Sequence, residues 1–310
     1  MKEVCCNFCG QDDWLLVNEG RDLLLDRPGS FRLVRCRNCG LIYQNPQATR
    51  EELEQFYPDD YLLYETKGAK TTQVEQLSQQ HELGRRCARV MRHQPNPGRV
   101  LDVGCATGNF LVAMRERGWQ TVGVELSGYA AGYAREQLGL DVRTGTLEEA
   151  AFAADSFDVV TLWDVFEHVL DPKATLLEVA RVLRPGGLVV IHTPNPTSVE
   201  ARLFGQNWVG WERPRHLHLF APEVLRGYLA ETGFVWQGVE SFSGRLSVTL
   251  LSVEFALKAR DVPAAKWRPW LKFAYNLPLR LLTWPFYRLL EMTNKMTGMT
   301  VFARRIDETL

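Results

Sequence analysis

The chain has 310 residues, of which 45% are hydrophobic and 24% charged, and its formal net charge is −1. These ordinary globular values exclude wholesale disorder and argue against a globally basic nucleic-acid binder. No apolar run approaches the ~18 residues of a membrane span, and the start Met-Lys-Glu-Val-Cys-Cys has no apolar signal core, so a cytoplasmic protein is expected.

Five of the seven cysteines fall in the first 39 residues: Cys5, Cys6, Cys9, Cys36 and Cys39. Cys6-Asn7-Phe8-Cys9-Gly10 and Cys36-Arg37-Asn38-Cys39-Gly40 are two matched knuckles, 26 residues apart. In a reducing compartment, four thiolates paired in this way suit a tetrahedral structural Zn²⁺ on Cys6, Cys9, Cys36 and Cys39. Gly10 and Gly40 free the backbone to turn beneath the sulfurs. A redox dithiol, or a site that has lost its metal, is the other reading. Short β-like runs at 14–17 and 31–34 complete an expected zinc ribbon over residues 1–45, with little core of its own.

Residues 46–98 read as a linker and helices covering a site. A polar and aromatic stretch (Phe56, Tyr57, Tyr61, Tyr64) precedes a helix over 73–93, in which Val74, Leu77, Cys87 and Val90 fall near helical spacing. Gln94-Pro95-Asn96-Pro97-Gly98 stops it. From residue 99, apolar strands at 100–103, 121–124, 157–162 and 188–191 alternate with helices near 108–117, 128–139 and 173–184. This alternation predicts an α/β, Rossmann-like fold: a parallel sheet with helices on both faces. A helix at 222–232, a strand near 234–241 and a last strand at 299–303 follow.

Val100-Leu101-Asp102-Val103-Gly104-Cys105-Ala106-Thr107-Gly108 reads as a buried strand entering a glycine turn. The spacing is not G-x-G-x-x-G, and no Gly-Lys-Ser/Thr follows, so dinucleotide and P-loop readings fail. The string resembles motif I of class I S-adenosylmethionine (SAM) methyltransferases, with Ala106 where that family has its middle glycine. Glu125 follows Gly108 by 17 residues, where a carboxylate can accept bonds from ribose hydroxyls. Ser156-Phe157-Asp158-Val159-Val160 and Leu183-Arg184-Pro185-Gly186-Gly187 resemble the family's fourth strand and the turn into its fifth. Thr146 stands where many relatives have an adenine-side aspartate. The resemblance implies a seven-stranded sheet. It implies SAM held by Asp102, Gly104, Cys105 and Gly108, by Glu125 and Leu126, and by Leu147 near the adenine. Trp163 and Asp164 would border the methionine part.

Trp163-Asp164-Val165-Phe166-Glu167-His168-Val169 is similar to the Glu-His-Val segment of ubiquinone-biosynthesis O-methyltransferases. An i, i+3, i+4 spacing predicts Asp164, Glu167 and His168 on one helical face. Two roles stay open: holding Mg²⁺, or lining the pocket without metal. His168 is a candidate general base, and His216, which matches the relatives' histidine, is a second. The aromatic run Trp208, Trp211, Arg213, His216, His218 is expected to cover the substrate side. A ribbon followed by Phe56-Tyr57, Tyr61 and a SAM domain also resembles sugar C-methyltransferases. Those proteins carry a further C-terminal domain that has no room after residue 240, which counts against a nucleotide-sugar substrate.

The expected domains are 1–45, 46–98 and 99–310, the last with an aromatic, basic insert at about 245–298. Residues 255–298 hold eight Lys/Arg against Asp261 and Glu291, a net charge of +6. On a helical wheel Arg280, Thr283, Arg288, Glu291 and Lys295 occupy an arc of roughly 140°, with Leu281, Leu282, Phe286, Leu289 and Leu290 opposite. An in-plane membrane helix at the inner membrane face fits this pattern. A helical cap on the pocket, or a homodimer contact, fits it too. The function implied is methyl transfer from SAM to an oxygen or carbon of a small-molecule acceptor: a sugar, a quinone-like or a lipid-linked compound. A catalytically silent SAM-fold scaffold is the alternative. An RNA methyltransferase is disfavoured by the overall charge and by the lack of an Asn/Asp-Pro-Pro-Tyr motif.

Overall fold

The computed structural model describes residues 1–56, 73–242, 246–274 and 277–307. Tyr57, Tyr61 and Tyr64 lie outside these residues, as do the side chains of Val74 and Leu77. The N-terminal part holds β1 (Trp14–Gly20), β2 (Phe31–Cys36), β3 (Ile42–Gln44) and α1 (Arg50–Glu54). Then follow α2 (Gln73–His93), β4 (Arg99–Val103), α3 (Asn109–Arg115), β5 (Gln120–Glu125), α4 (Gly128–Leu138), β6 (Asp141–Thr144) and β7 (Phe157–Trp163). Next come α5 (Pro172–Val182), β8 (Leu183–Pro194), α6 (Val199–Phe204), β9 (His218–Leu219), α7 (Pro222–Glu231) and β10 (Phe234–Glu240). The chain finishes with α8 (Leu246–Lys258), α9 (Ala264–Ala274), α10 (Leu277–Met292) and β11 (Gly298–Arg305).

Seven strands form the central sheet in the order β10-β11-β8-β7-β4-β5-β6. β8, β7, β4, β5 and β6 are mutually parallel, while β11 runs antiparallel to both β8 and β10. The inner strands are apolar on both faces because helices cover both. Val100, Leu101, Val159, Val160, Val189 and Ile191 are wholly buried. The strand order reverses between β4 and β7, which puts the crevice beyond the carboxyl ends of those strands. The expected α/β class and seven-stranded sheet are thus observed. The fifth parallel strand is longer than expected, running back through Gly186 and Gly187 to Leu183.

The ribbon is built into this unit. β1, β2, β3 and β9 make a second sheet, in which Ile42 pairs Leu219 and Tyr43 pairs His218. Cys6, Val34, Cys36, Leu41 and Tyr43 share one core cluster with Leu101, Leu162, Phe220 and Tyr228. Phe8 stacks on Tyr228 with ring centroids 4.4 Å apart. Trp208 and Trp211 are buried with Leu23, Leu33 and Phe255, so these two tryptophans are core residues under the ribbon, where a pocket cover was expected.

Candidate functional site

The loops after β4, β5, β6, β7 and β8 all lie at the carboxyl edge of the parallel strands, and they carry the predicted residues. In the first loop Gly104 (φ +67°) and Gly108 (φ +84°) occupy left-handed conformations. A Cβ on Gly104 would lie 2.5 Å from Val165 Cγ2, and one on Gly108 would lie 2.3 Å from Leu140 Cδ1. Both positions therefore need glycine. Ala106, at φ +46°, holds the same region with a side chain, so the resemblance's middle glycine survives as a conformation although its residue type is changed.

Glu125 closes the loop from the neighbouring strand. Its carboxylate is buried and accepts the Ala106 amide at 2.8 Å and the Ser127 amide at 2.8 Å. Burial pushes its pKa up, and the two backbone donors offset part of that. A carboxylate has about four acceptor sites, so two amides leave capacity for hydroxyl donors. Asp102 sits one layer deeper. It accepts the Thr161 hydroxyl at 2.6 Å, and burial raises its pKa to about 7. Leu126 is exposed, whereas Leu147 is buried in the main core. The Cys105 thiol is buried among Leu111, Ala134, Leu140 and Val142, which leaves its backbone as the part available to the loop. After β6, the Thr146 amide bonds Glu149, whose carboxylate also takes Arg50 at 2.9 Å.

After β7 the structure departs from expectation. Residues 166–168 form a turn, with Asp164 at φ +57°, so the predicted helical face is not made. Asp164 bonds Arg86 at 3.0 Å and faces His192 Nε2 at 3.5 Å. Burial alone would raise its pKa, but His192 and Arg86 outweigh that and hold it below the usual range. The guanidinium of Arg86 also lies 4.8 Å over the ring of buried Trp163. Asp164 is turned to Arg86 and His192, so it does not join Glu167 and His168 in one ligand set as expected. The groups that converge are Glu167, His168 and His216, whose nearest ligand-type atoms lie within 4.8 Å of one another.

A family profile described as "Methyltransferase domain" matches residues 75–237, more than half of the chain. The chain belongs to this methyltransferase-domain family. It is 35% identical over 164 residues to a ubiquinone biosynthesis O-methyltransferase of Rhizobium etli, across 47% of this chain and 66% of that protein. It is 41% identical over 129 residues to the enzyme of that name from Parvibaculum lavamentivorans, across 39% of this chain and 50% of that protein. The matched region thus spans between half and two thirds of these relatives. Among solved structures, a candidate sarcosine dimethylglycine methyltransferase from Galdieria sulphuraria superposes with a TM-score of 0.50 at 18% identity, over 74% of this chain and 86% of that one. That likeness confirms the fold.

Within this methyltransferase domain the two histidines are set by backbone carbonyls. His168 Nδ1 lies 2.9 Å from the Arg215 carbonyl, and His216 Nδ1 lies 2.8 Å from the Gly210 carbonyl. A carbonyl only accepts, so each Nδ1 carries a hydrogen, and a neutral His168 ring then has its lone pair on Nε2. The rings meet edge to face at 4.7 Å. Burial above all lowers the His168 pKa to about 4, so its imidazole is neutral at pH 7. Glu167 is buried, its Oε2 has no hydrogen-bond partner among the described residues, and burial followed by Asp164 raises its pKa well above normal.

Three participants escaped the sequence reading. Arg86, on α2, reaches Asp164 and Trp163 from outside the strand loops. His192, on β8, contacts Asp164 and bonds Thr300 at 2.8 Å. Asp22, in the ribbon, forms a fully buried two-pronged ion pair with Arg215 at 2.8 and 2.9 Å. Only the basic run Arg85-Arg86 before motif I could have flagged the first.

The four predicted cysteines do converge, with Cys6 Sγ 3.4 Å from Cys39 Sγ and Cys9 Sγ 3.4 Å from Cys36 Sγ. Both knuckles turn alike: Gly10 N bonds Cys6 O, Gly40 N bonds Cys36 O, and both glycines have positive φ. Cys5 is exposed and outside the set, and Cys87 is buried within α2.

Proposed function

We propose that this protein is a SAM-dependent methyltransferase acting on an oxygen or carbon atom of a small molecule. The observation that carries the reading is the buried Glu125 carboxylate clamped by amides of the glycine loop on one side and of the next loop on the other. That arrangement keeps a carboxylate fixed beside a backbone cradle, which suits a ribose diol. Asp102, Gly104 and Gly108 with the Cys105 backbone frame the same cradle. Leu126, the backbone of Leu147, Trp163 and Asp164 extend it. SAM supplies an already activated methyl group, so the protein's tasks are alignment and proton removal. His168 Nε2, with the proton fixed on Nδ1, is the base placed to accept an acceptor's hydroxyl proton, and His216 supports it from 4.7 Å. A quinone-like acceptor fits the relatives named for ubiquinone biosynthesis, and a sugar or lipid-linked compound belongs to the wider class proposed.

The ribbon cysteines fit structural Zn²⁺. Tetrahedral Zn–S bonds of about 2.3 Å put sulfurs about 3.8 Å apart, close to the separations observed here. Zinc would hold the two knuckles together and take no part in methyl transfer. The test of the main reading is calorimetric titration with SAM. Micromolar binding is expected for the intact chain, weakened at least about tenfold by Glu125→Ala, given two charge-assisted bonds of about 1.5–3 kcal/mol each. Unchanged affinity in the variant would overturn the site, and absence of binding by the intact chain would overturn the function.

A further inference from the structure

The C-terminal helices present their apolar sides outward. On α9 Trp270 is 73% and Phe273 70% exposed; on α10 Leu281, Leu282, Leu289 and Met292 are 58–77% exposed. Of 19 exposed large apolar residues among those described, eight lie within 264–292. The opposite side of α10 faces the protein. Tyr287 and Leu290 are buried against α8 with Leu246 and Leu250, and the Tyr287 hydroxyl bonds Thr249. Glu291, from the polar arc, also turns inward to Arg85 and Arg89 of α2. The amphipathic helix is therefore seated on its polar edge, the reverse of an ordinary surface helix. Such an arrangement leaves a large apolar surface in water, which marks an interface.

Charge decides what covers it. Residues 255–298 carry +6 within a chain of net charge −1. Arg260, Lys266, Arg268, Arg288 and Lys295 are exposed. An open cleft of about 370 Å³, lined by His81, Arg85, Trp284 and Arg288, lies between α2 and α10. A second copy docked on the same face would bring like charges together. An anionic bilayer surface would meet the cations with phosphate and the aromatic and aliphatic side chains with its acyl boundary.

We propose that the outer faces of α9 and α10 dock on an anionic lipid surface. The full chain is mixed with vesicles of phosphatidylcholine alone or containing phosphatidylglycerol, and binding is read by co-sedimentation. Strong binding is expected only with phosphatidylglycerol, released by salt. The double variant Leu282→Asp/Met292→Asp should bind about tenfold or more weakly, with unchanged thermal unfolding because both positions are largely exposed. Arg268→Glu/Arg288→Glu should lose the preference for phosphatidylglycerol. Failure of the intact chain to bind these vesicles overturns the proposal. So does equal binding by the aspartate variant. A concentration-dependent dimer in light scattering, abolished by the same aspartates, assigns the face to a second copy and overturns it as well.

Discussion

Asp102 shows how burial at one residue becomes a property of the fold. An unfolded aspartate titrates near 3.8, whereas the folded carboxyl holds its proton to about pH 7 because burial outweighs the Thr161 hydrogen bond. Below the lower value both states are protonated and stability is complete. Between the two values the unfolded chain releases a proton that the folded chain keeps, so stability falls as pH rises. The slope from this residue is about 1.4 kcal/mol per pH unit, or about 4 kcal/mol over the window. Asp102→Asn keeps an acceptor for Thr161 and removes the titration. Its unfolding free energy, measured in urea from pH 4 to 7, should lack that slope; identical slopes in the two proteins would refute the assignment. Residues with a conformational signature were legible in the sequence: Gly104, Gly108 and Glu125 stand where the spacing put them. Ala106 was legible as a departure, and its positive φ shows what the departure entails. Asp164 was misread because i, i+3, i+4 spacing is shared by helices and by tight turns. A left-handed φ at Asp164 separates the two, and aspartate tolerates that conformation without announcing it.

At the scale of elements, the segment that sets His168 is itself held by the ribbon. The turn at 212–216 follows a short helical stretch and leads into β9, which pairs with β3. Arg215 gives its carbonyl to His168 and its guanidinium to Asp22, both charged groups being fully buried. Burial would raise the Asp22 pKa, but Arg215 outweighs it and holds the carboxyl below the usual range. Asp22→Asn removes the two-pronged partner of the buried Arg215 charge and leaves Glu212, at 3.0 Å, to balance it, a loss of about 3 kcal/mol at most in chemical unfolding. Asp22 is a positioning residue in this scheme. At temperatures where the variant stays folded, kcat should drop while the KM for SAM holds, because the site proposed for SAM is built from other loops. An equal loss in both parameters would indicate general loosening. None of this was legible from the sequence. Asp22 and Arg215 are 193 residues apart, and nothing local distinguishes a buried ion pair from two solvated charges. By contrast, the strands and the glycine turn were legible because short continuous apolar runs and turn residues are local signals. The wheel of α10 was legible as a pattern, but the side that faces the protein is set by what α8 and α2 offer it.

For the whole molecule, the question is whether the ribbon is an appendage or part of one cooperative unit. As a sequence it reads as a separate module, since its cysteines are clustered and its apolar residues few. In the structure Cys6 and Cys36 are buried in the same cluster as Leu101 and Leu162 of the central sheet. The second sheet is completed by β9 from the methyltransferase part. Asn7 links outward to Asp171 and Tyr228, and Asn18 to Arg213. A module sharing its core this way cannot open alone without exposing the face of α7 that carries Tyr228 and Val224. Structural zinc contributes on the order of 10 kcal/mol to small metal sites, so its removal should act on the entire unit. Chelation of the zinc-loaded protein, or Cys36→Ser, is expected to lower the thermal midpoint by roughly 10 °C or more. Zinc release, followed with a chromogenic chelator, should coincide with the loss of α/β circular dichroism in a single transition. Zinc leaving in an earlier, separate step with the α/β midpoint unmoved would show that the ribbon folds by itself. In that case the Asp22–Arg215 link would also fail to transmit, because a ribbon free to open could not hold the turn that sets His168.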